Sequence, residues 1–186
     1  VMLTVGTGIG GGVVMSPRSV FGKAEGPLML VGGNGGGAEL GHTMVLAGGL
    51  DCNAGSYGAV EAYCQRDSIV MRAIHKLQRG RPSIMPDLVD GDLSKITPRI
   101  ISTAADQGDA LAQQIWHEVG TYLGIAIGSM INVFAPDVVA IGGQIAKSGK
   151  WLLDPARVSA ADTAIPSLFQ DAKIVEAKLI EHAGMY

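Results

Sequence analysis

A glycine-rich segment near the start of the chain is the first place where the residue types suggest chemistry. It reads Gly6-Thr7-Gly8-Ile9-Gly10-Gly11-Gly12 and lies between two apolar runs. Because glycine has no Cβ, several backbone N–H groups can turn toward one point and bind phosphate oxygens, and Thr7 adds a hydroxyl donor. The spacing matches neither a Walker A motif nor a dinucleotide fingerprint. A phosphate-binding loop and a simple hairpin turn therefore both remain open at this point.

Two carboxylates and an imidazole form a second candidate group. Glu39 and His42 belong to the segment Glu-Leu-Gly-His, and Glu61 follows 19 residues after His42. Carboxylates accept charge-assisted hydrogen bonds from hydroxyl groups, and histidine can donate or accept, so the set suits a polyol. Taken one at a time, such a glutamate is usually solvated and such a histidine usually structural. Only their combination favours a binding site.

Gly142-Gly143 is the third candidate. The pair follows the apolar run Val138–Ile141 and precedes a predicted helix that begins at Gln144–Lys147. In α/β proteins, ligands commonly bind where a buried strand ends and the chain turns into a helix. Ordinary turn chemistry is the simpler interpretation of the pair by itself.

The composition excludes several classes of protein. The 186 residues include 14 basic and 17 acidic side chains, for a net charge of −3, and no basic block suggests a nucleic-acid partner. Two cysteines are too few for a disulfide framework, which favours a cytoplasmic protein. The most apolar run, Tyr122–Ala135, is shorter than the roughly 18 residues that a membrane span needs. We therefore expect neither a nucleic acid nor a membrane as partner.

The elements that must position these residues alternate between strand and helix. Val1–Val5 and Val13–Met15 predict a hairpin around the glycine segment, and Thr43–Leu46 and Ser19–Phe21 predict weaker strands. Apolar spacing predicts helices over Val60–Gln78, from Thr97-Pro98 to Gly108, and over Asp109–Phe134. Val138–Ile141 and Lys173–Leu179 complete the predicted elements. The alternation predicts an α/β fold.

Taken in order, the motifs resemble the C-terminal lobe of the ROK (repressor, open reading frame, kinase) family of bacterial sugar kinases and repressors. The resemblance covers nearly the whole chain. The segments that carry it are Gly6–Gly12, Gly35–His42, Cys52–Glu61 and Asn132–Gly143. The first and last of these are generic, whereas the Glu-x-Gly-His segment followed by a Cys loop and a glutamate is specific to the family.

The resemblance implies an actin-like ATPase (ribonuclease H-like) lobe with inserted sugar-binding loops, from a glucokinase-like enzyme. Such enzymes transfer the γ-phosphoryl group of Mg²⁺-ATP to a hexose hydroxyl. By position, the resemblance assigns the sugar to Glu39, His42 and Glu61. It assigns the nucleotide to Gly6, Thr7, Gly8, Gly10, Gly142 and Gly143. We also expect a homodimer.

The resemblance further implies that residues 1–186 form the C-terminal lobe and that an N-terminal lobe is missing. That lobe would bring a first phosphate motif and the aspartate that acts as general base. No catalytic residue is therefore assigned within this chain, and we expect the 186 residues alone to be inactive, because phosphoryl transfer needs nucleophile alignment and charge neutralisation together.

The family's structural zinc is expected to be absent. The resemblance implies one histidine and three cysteines as ligands, and His42 and Cys52 stand at two of these positions. Ala54 and Ala59 stand where the other two cysteines would be. Two ligands cannot close a tetrahedral structural site. Cys64 lies outside the pattern and is predicted to be a core residue.

Two alternatives to the kinase remain open. The chain could be the sugar-effector domain of a ROK-type transcriptional repressor, or a binding remnant that has lost catalysis. The glycine segment Gly6–Gly12 favours the kinase, because repressors of this family often have weakened phosphate loops. An upstream helix-turn-helix would indicate the repressor.

Overall fold

A four-stranded sheet lies at the centre of the computed structural model, which describes residues 1–16, 26–52 and 54–178. The strand order is β2-β1-β5-β6. These strands span Met2–Val5 (β1), Ile9–Gly12 (β2), Val138–Gly142 (β5) and Lys173–Glu176 (β6). β1 and β2 are antiparallel, whereas β1–β5 and β5–β6 are parallel pairs. The carboxyl ends of β1 and β5 therefore meet at one edge of the sheet.

The hairpin differs from the sequence prediction. Its second strand is β2, and Val14–Met15 instead forms β3, which pairs with β4 (Leu28–Met29) in a separate small sheet. The glycines of Ile9–Gly12 are thus strand residues, and the turn is confined to residues 6–8. A Cβ on Gly11 would lie 2.6 Å from the Ala38 carbonyl oxygen and from Leu40 Cβ. Glycine is needed there because another segment packs directly on the strand.

The described helices pack around this sheet. They are α1 (Val60–Cys64), α2 (Arg66–Gln78), α3 (Pro98–Asp106), α4 (Ala110–Phe134), α5 (Lys150–Thr163) and α6 (Pro166–Asp171). Short 3₁₀ helices lie at Leu40–His42, Asp87–Val89, Leu93–Lys95 and Gln144–Ser148. Among the described residues, no helix combines the length and hydropathy that a membrane crossing requires.

The predicted starts of α3 and α4 are confirmed, and capping explains them. Thr97 Oγ1 accepts from the Ile100 N–H at 3.3 Å, and Asp109 Oδ1 accepts from the Ala112 N–H at 2.7 Å. Each cap satisfies an N–H group that has no partner inside the helix.

The prediction of one continuous helix over 60–78 is wrong, because the structure has two helices there. Gln65 has extended backbone angles, with φ −69° and ψ 157°, and separates α1 from α2. The break is stabilised from outside the segment, because the Arg66 N–H donates to the Gly6 carbonyl oxygen at 2.8 Å. Helical spacing alone cannot reveal such a tertiary hydrogen bond.

Other boundaries also change. Thr43–Leu46 contains only a single bridge, Met44 to Ala59, instead of a strand. The helix expected from Gln144 is a 3₁₀ turn that ends before α5, and β6 stops at Glu176 rather than Leu179. The strand predicted at Ser19–Phe21 lies outside the described residues.

The contact between α4 and α5 depends on glycines spaced four residues apart, at Gly120, Gly124 and Gly128. A Cβ on Gly120 would lie 2.5 Å from Pro155 Cγ, and one on Gly128 would lie 2.5 Å from Thr163 Cβ. The two helices therefore pack backbone against backbone along α4. The whole α4 face bearing these glycines is buried.

We expect Gly124→Ala to destabilise the protein. Its Cβ would lie 2.6 Å from Ser159 Cβ, and overpacking of this kind costs roughly 1–3 kcal/mol, more than the roughly 1 kcal/mol that alanine gains over glycine in a helix. Urea unfolding of the parent and the variant measures the difference. Val133→Ala, at a side chain that is 73% exposed on the same helix, is the control and should change stability by less than about 0.5 kcal/mol. A Gly124→Ala variant as stable as the parent would contradict the close packing.

Candidate functional site

The predicted phosphate segment forms a tight turn at the sheet edge. The Gly6 N–H donates to the Gly8 carbonyl oxygen at 2.9 Å, which closes the turn between β1 and β2. Gly143, directly after β5, has φ 85° and leaves no space for a Cβ beside the Val5 backbone. The ends of two neighbouring parallel strands therefore meet at the turn, which is the usual place for a ligand in this class of fold.

The two groups of candidate residues line one cleft of about 410 Å³. Its wall includes Gly6, Thr7, Gly8, Gly10, Glu39, His42, Glu61 and Gly143. Gly142, the remaining nucleotide candidate, is buried in β5 and does not line this cleft. The structure thus brings together segments that are more than 50 residues apart in sequence. The role of each residue stays a prediction.

A 3₁₀ helix positions Glu39 and His42. It spans Leu40–His42, with Glu39 directly before it, and the His42 N–H donates to the Glu39 carbonyl oxygen at 3.1 Å. Leu40 is buried against β2, and a Cβ on Gly41 would overlap the Ile9 carbonyl oxygen. The Glu-x-Gly-His pattern therefore has a steric reason at its glycine, because only glycine allows the turn to lie on β2.

Glu61 lies in the first turn of α1, as the sequence predicts. Its Oε2 accepts a hydrogen bond from the Ile9 N–H at 2.7 Å. The Val60 N–H donates to the Thr43 carbonyl oxygen at 2.9 Å, which fixes the start of α1 beside the His42 segment. Glu61 therefore bonds directly to the residue that follows the glycine turn. No feature of the sequence predicted this hydrogen bond.

A second cleft of about 820 Å³ adjoins the first and shares Gly6, Thr7 and Gly143 with it. Arg66, Arg99 and Lys147 also line this second cleft. Cationic side chains around a concave surface raise the local concentration of anionic ligands. Sequence reasoning assigned no role to these three residues. Arg66 and Arg99 lie in the first turns of α2 and α3, and this location near a helix start was the only feature of the sequence that could have indicated them.

The comparison with protein families identifies the chain. The sequence model of the ROK family matches residues 1–186. The chain belongs to the ROK family.

Both kinases and repressors are among the curated relatives of this ROK chain. It is 35% identical over 185 residues to a glucokinase of Thermotoga maritima, in a match that covers 100% of this chain and 55% of the relative. It is 30% identical over 182 residues to the N-acetylglucosamine repressor of Escherichia coli O157:H7, covering 98% of this chain and 41% of the repressor. The chain thus spans about half the length, or less, of the curated relatives it matches.

Solved structures show the same two groups. A ROK glucokinase from Streptomyces griseus, in complex with glucose and AMPPNP, superimposes with a TM-score of 0.80 at 29% identity, covering 98% of this chain and 56% of the glucokinase. A ROK transcriptional regulator homologous to Escherichia coli MLC gives a TM-score of 0.77 at 30% identity, covering 94% of this chain and 40% of the regulator. The predicted α/β, actin-like ATPase fold is confirmed by these matches.

The ROK zinc pattern is incomplete in the residues that the structure describes. Within residues 1–16, 26–52 and 54–178, no group of three His, Cys, Asp or Glu side chains is placed to hold a metal ion. The buried His42 Nδ1 has no hydrogen-bond partner among the described residues, and Cys52 is buried nearby in its loop. Ala54 and Ala59 supply no donor atom. One imidazole and one thiol do not fit the four-ligand set that structural zinc requires.

Hydrogen bonds hold the loop that would carry the zinc ligands. Tyr63 Oη accepts from the Leu50 N–H at 2.8 Å, and the Gly58 N–H donates to the Leu50 carbonyl oxygen at 2.7 Å. Cys52 Sγ lies 3.0 Å from Ser56 Oγ. The loop is therefore attached to α1 through the Tyr63 side chain, two residues after Glu61.

The two thiols have opposite environments. The Ser56 hydroxyl, followed by the Ala54 backbone and a smaller contribution from His42, lowers the pKa of Cys52 to about 7. Burial raises the pKa of Cys64 to about 12, and its Sγ donates to the Val119 carbonyl oxygen at 3.4 Å. The predicted core position of Cys64 is confirmed.

We expect the stability difference between the parent and Cys52→Ser to grow with pH. A pKa lowered to about 7 in the folded chain, against about 8.5 for an unfolded cysteine, favours folding where the thiolate forms. The contribution is complete above the unfolded pKa and disappears as the pH falls through about 7. Urea unfolding of both proteins across this pH interval measures the contribution of Cys52. Any pH-dependent contribution of Cys64 is the same in both proteins and does not affect their difference. A difference that is constant with pH would contradict the lowered pKa.

We also expect no stoichiometric zinc in the parent, since only two of four ligands are present. Elemental analysis after dialysis measures the metal content. The variant Ala54→Cys/Ala59→Cys should bind one zinc per chain, whereas Ala54→Ser/Ala59→Ser, which lacks thiols, should bind none. One tightly held zinc in the parent would show that other residues complete the site.

Proposed function

We propose that this chain forms the C-terminal lobe of an ATP-dependent hexose kinase of the glucokinase type. It binds a hexose through Glu39, His42 and Glu61 and binds nucleotide at the glycine turn and the cleft beside it. The observation that carries the proposal is the convergence of the three polar side chains and the turn on one cleft. The glucokinase from Streptomyces griseus that superimposes on this chain was solved with glucose and AMPPNP.

The chemistry of the first cleft suits a neutral sugar. Glu39 and Glu61 provide carboxylate acceptors for hydroxyl groups, and His42 provides a group that donates or accepts. Each hydroxyl of a hexose needs partners of both kinds, because a buried hydroxyl without a hydrogen bond costs free energy. The acidic side chains would repel an anionic ligand from this cleft, which supports a hexose over a sugar phosphate as the substrate.

The second cleft suits the nucleotide. Its volume of about 820 Å³ is within the range of small-molecule sites. We assign the phosphates to Gly6, Thr7, Gly8 and Gly10, of which Gly6 and Thr7 line this cleft and Gly8 and Gly10 line the first. Because the Gly6 N–H is already bonded to the Gly8 carbonyl oxygen, the Thr7 hydroxyl and the other N–H groups of the segment would contact the phosphates. Gly143, with Gly142 buried behind it, lies toward the adenosine. Mg²⁺ bound to the phosphates would supply charge neutralisation for the transferred group. The positive side chains Arg66, Arg99 and Lys147 support an anionic ligand here, although Asp67, 2.7 Å from Arg66 Nε, offsets part of the Arg66 charge.

The two clefts share the turn, so a sugar hydroxyl in one would face a phosphoryl group in the other. No aspartate among the described residues lines either cleft. Following the family resemblance, we assign the general base to a lobe outside residues 1–186 and expect this lobe alone to bind ligands without transferring phosphate. The catalytic unit then combines the two lobes around the shared turn.

A sugar-effector domain of a ROK repressor is the second candidate. The N-acetylglucosamine repressor relative and the regulator structure with a TM-score of 0.77 favour it. The two candidates differ at the second cleft, because an effector domain needs only the sugar. Binding of AMPPNP by this chain would support the kinase. The homodimer stays a prediction for either candidate.

We expect Glu39→Gln to lower glucose affinity by on the order of ten- to a hundredfold, because loss of a charged acceptor costs about 1.5–3 kcal/mol. Calorimetric titration of the chain with glucose measures the change. Asp162→Asn, at an exposed carboxylate on α5 outside both clefts, is the matched control and should bind glucose as the parent does. Glucose binding that is equal in Glu39→Gln and the control would remove Glu39 from the site.

A further inference from the structure

Glu61 lines the first cleft and also bonds to the backbone beside the glycine turn that the two clefts share. Oε2 accepts from the Ile9 N–H at 2.7 Å, and Ile9 is the first residue after the glycine turn. The carboxylate as a whole lines the first cleft. One oxygen is therefore committed to the backbone beside the turn, and we assign the ligand to the other oxygen, for which no hydrogen bond is seen within the described part of the chain.

A second hydrogen bond joins the same region to the other end of the turn. The Arg66 N–H, at the start of α2, donates to the Gly6 carbonyl oxygen at 2.8 Å. The segment from Glu61 to Arg66 thus holds the turn on both sides, at Gly6 and at Ile9. Its position is fixed in turn by the core, because Val60 and Cys64 are fully buried.

The carboxylate also lies directly against the turn. A Cβ on Gly8 would come within 2.7 Å of Glu61 Oε2 and 3.5 Å of its carboxyl carbon. Glu39, the other carboxylate of the first cleft, is exposed and has no comparable contact with the turn. The two glutamates that would bind sugar are therefore distinguished by what else they touch.

We infer that Glu61 is a positioning residue for the phosphate-binding turn as well as a sugar ligand, and that hexose and nucleotide therefore bind cooperatively. This rests on the proposed function. A hydroxyl bound to the free oxygen restricts the Glu61 side chain in the orientation that holds the Ile9 N–H. The turn is then already ordered when phosphates arrive, so the second ligand loses less conformational entropy on binding.

Linkage makes the effect reciprocal. Saturating glucose should raise the affinity for AMPPNP by the same factor by which AMPPNP raises the affinity for glucose. We expect this factor to be about fivefold or more, the lower end of the usual range for coupled sites. Calorimetric titration of the chain with each ligand, alone and in the presence of the other, measures it.

The matched pair Glu61→Gln and Glu39→Gln separates positioning from sugar binding. Both should weaken glucose binding, and both remove one negative charge that repels phosphates from the first cleft. In the absence of sugar, Glu61→Gln should therefore bind AMPPNP more weakly than Glu39→Gln does, because only Glu61→Gln loses the charge-assisted bond to Ile9. A readout independent of affinity is the amide resonance of Ile9. This resonance should shift when glucose binds the parent. In the absence of glucose, its position should differ from that of the parent in Glu61→Gln but not in Glu39→Gln.

Gly8→Ala provides a second variant in which the carboxylate itself is unchanged. Its φ is compatible with alanine, and the new Cβ meets only the flexible end of Glu61, so the fold should tolerate it. Displacement of the carboxylate should reduce the coupling factor between the two ligands toward one. Thermal unfolding of Gly8→Ala near the parent value would show that the change is local.

The outcomes distinguish this inference from the function on which it rests. Equal AMPPNP affinity in Glu39→Gln and Glu61→Gln, with an unmoved Ile9 resonance, overturns the positioning role while glucose binding still supports the proposed function. Independent affinities for the two ligands in the parent overturn the cooperativity. A parent that binds neither ligand overturns the proposed function and the inference together.

Discussion

Close backbone contact at glycine is the constraint on which the candidate site depends. Gly41 lies against the Ile9 carbonyl, Gly143 lies against the Val5 backbone, and Gly11 leaves no space for a Cβ beside Ala38 and Leu40. Any side chain at these positions would separate the 3₁₀ helix, the end of β5 and the hairpin. The site is therefore formed by backbone segments in direct contact, and these contacts determine where the polar side chains lie.

This constraint explains where the functional side chains come from. Glu39 precedes and His42 ends the 3₁₀ helix that Gly41 allows to rest on β2, and Glu61 lies in the first turn of the helix that follows the adjoining loop. That loop needs an attachment to α1. Tyr63 provides one, because its hydroxyl accepts from Leu50 and its ring stacks on Tyr122 with centroids 4.1 Å apart. A hydrogen bond and a buried ring contact thus do in this chain what metal ligation is expected to do in relatives.

Much of this arrangement was predictable from the sequence, for identifiable reasons. The glycine segment, the Glu-x-Gly-His pattern and Glu61 are close in sequence to the elements that position them. Their types alone suggested phosphate and hydroxyl chemistry. The capped starts at Thr97 and Asp109 were equally local signals, since each cap bonds a backbone group three residues away.

The features that sequence reasoning missed are those that depend on distant partners. α1 and α2 separate at Gln65, where the next N–H bonds to Gly6, and the hairpin strand shifts to Ile9–Gly12 because Leu40 packs on Gly11. Arg66, Arg99 and Lys147 come from three different elements and meet only in the folded chain. The bond from Ile9 to Glu61 spans 52 residues. Local secondary-structure propensity contains no information about such contacts. The spacing of apolar residues along the sequence therefore could not have predicted them.

The distribution of charge around the turn extends this argument to substrate orientation. The carboxylates of Glu39 and Glu61 line the first cleft, and the larger cleft on the other side of the turn is lined by Arg66, Arg99 and Lys147, of which Arg66 is paired with Asp67. Under the proposed function, this arrangement would direct a polyphosphate away from the carboxylates and toward the cations. A neutral hexose would experience neither force and would be selected by hydrogen bonds alone. The same field that separates the two ligands would therefore also oppose rebinding of a phosphorylated sugar beside Glu39 and Glu61.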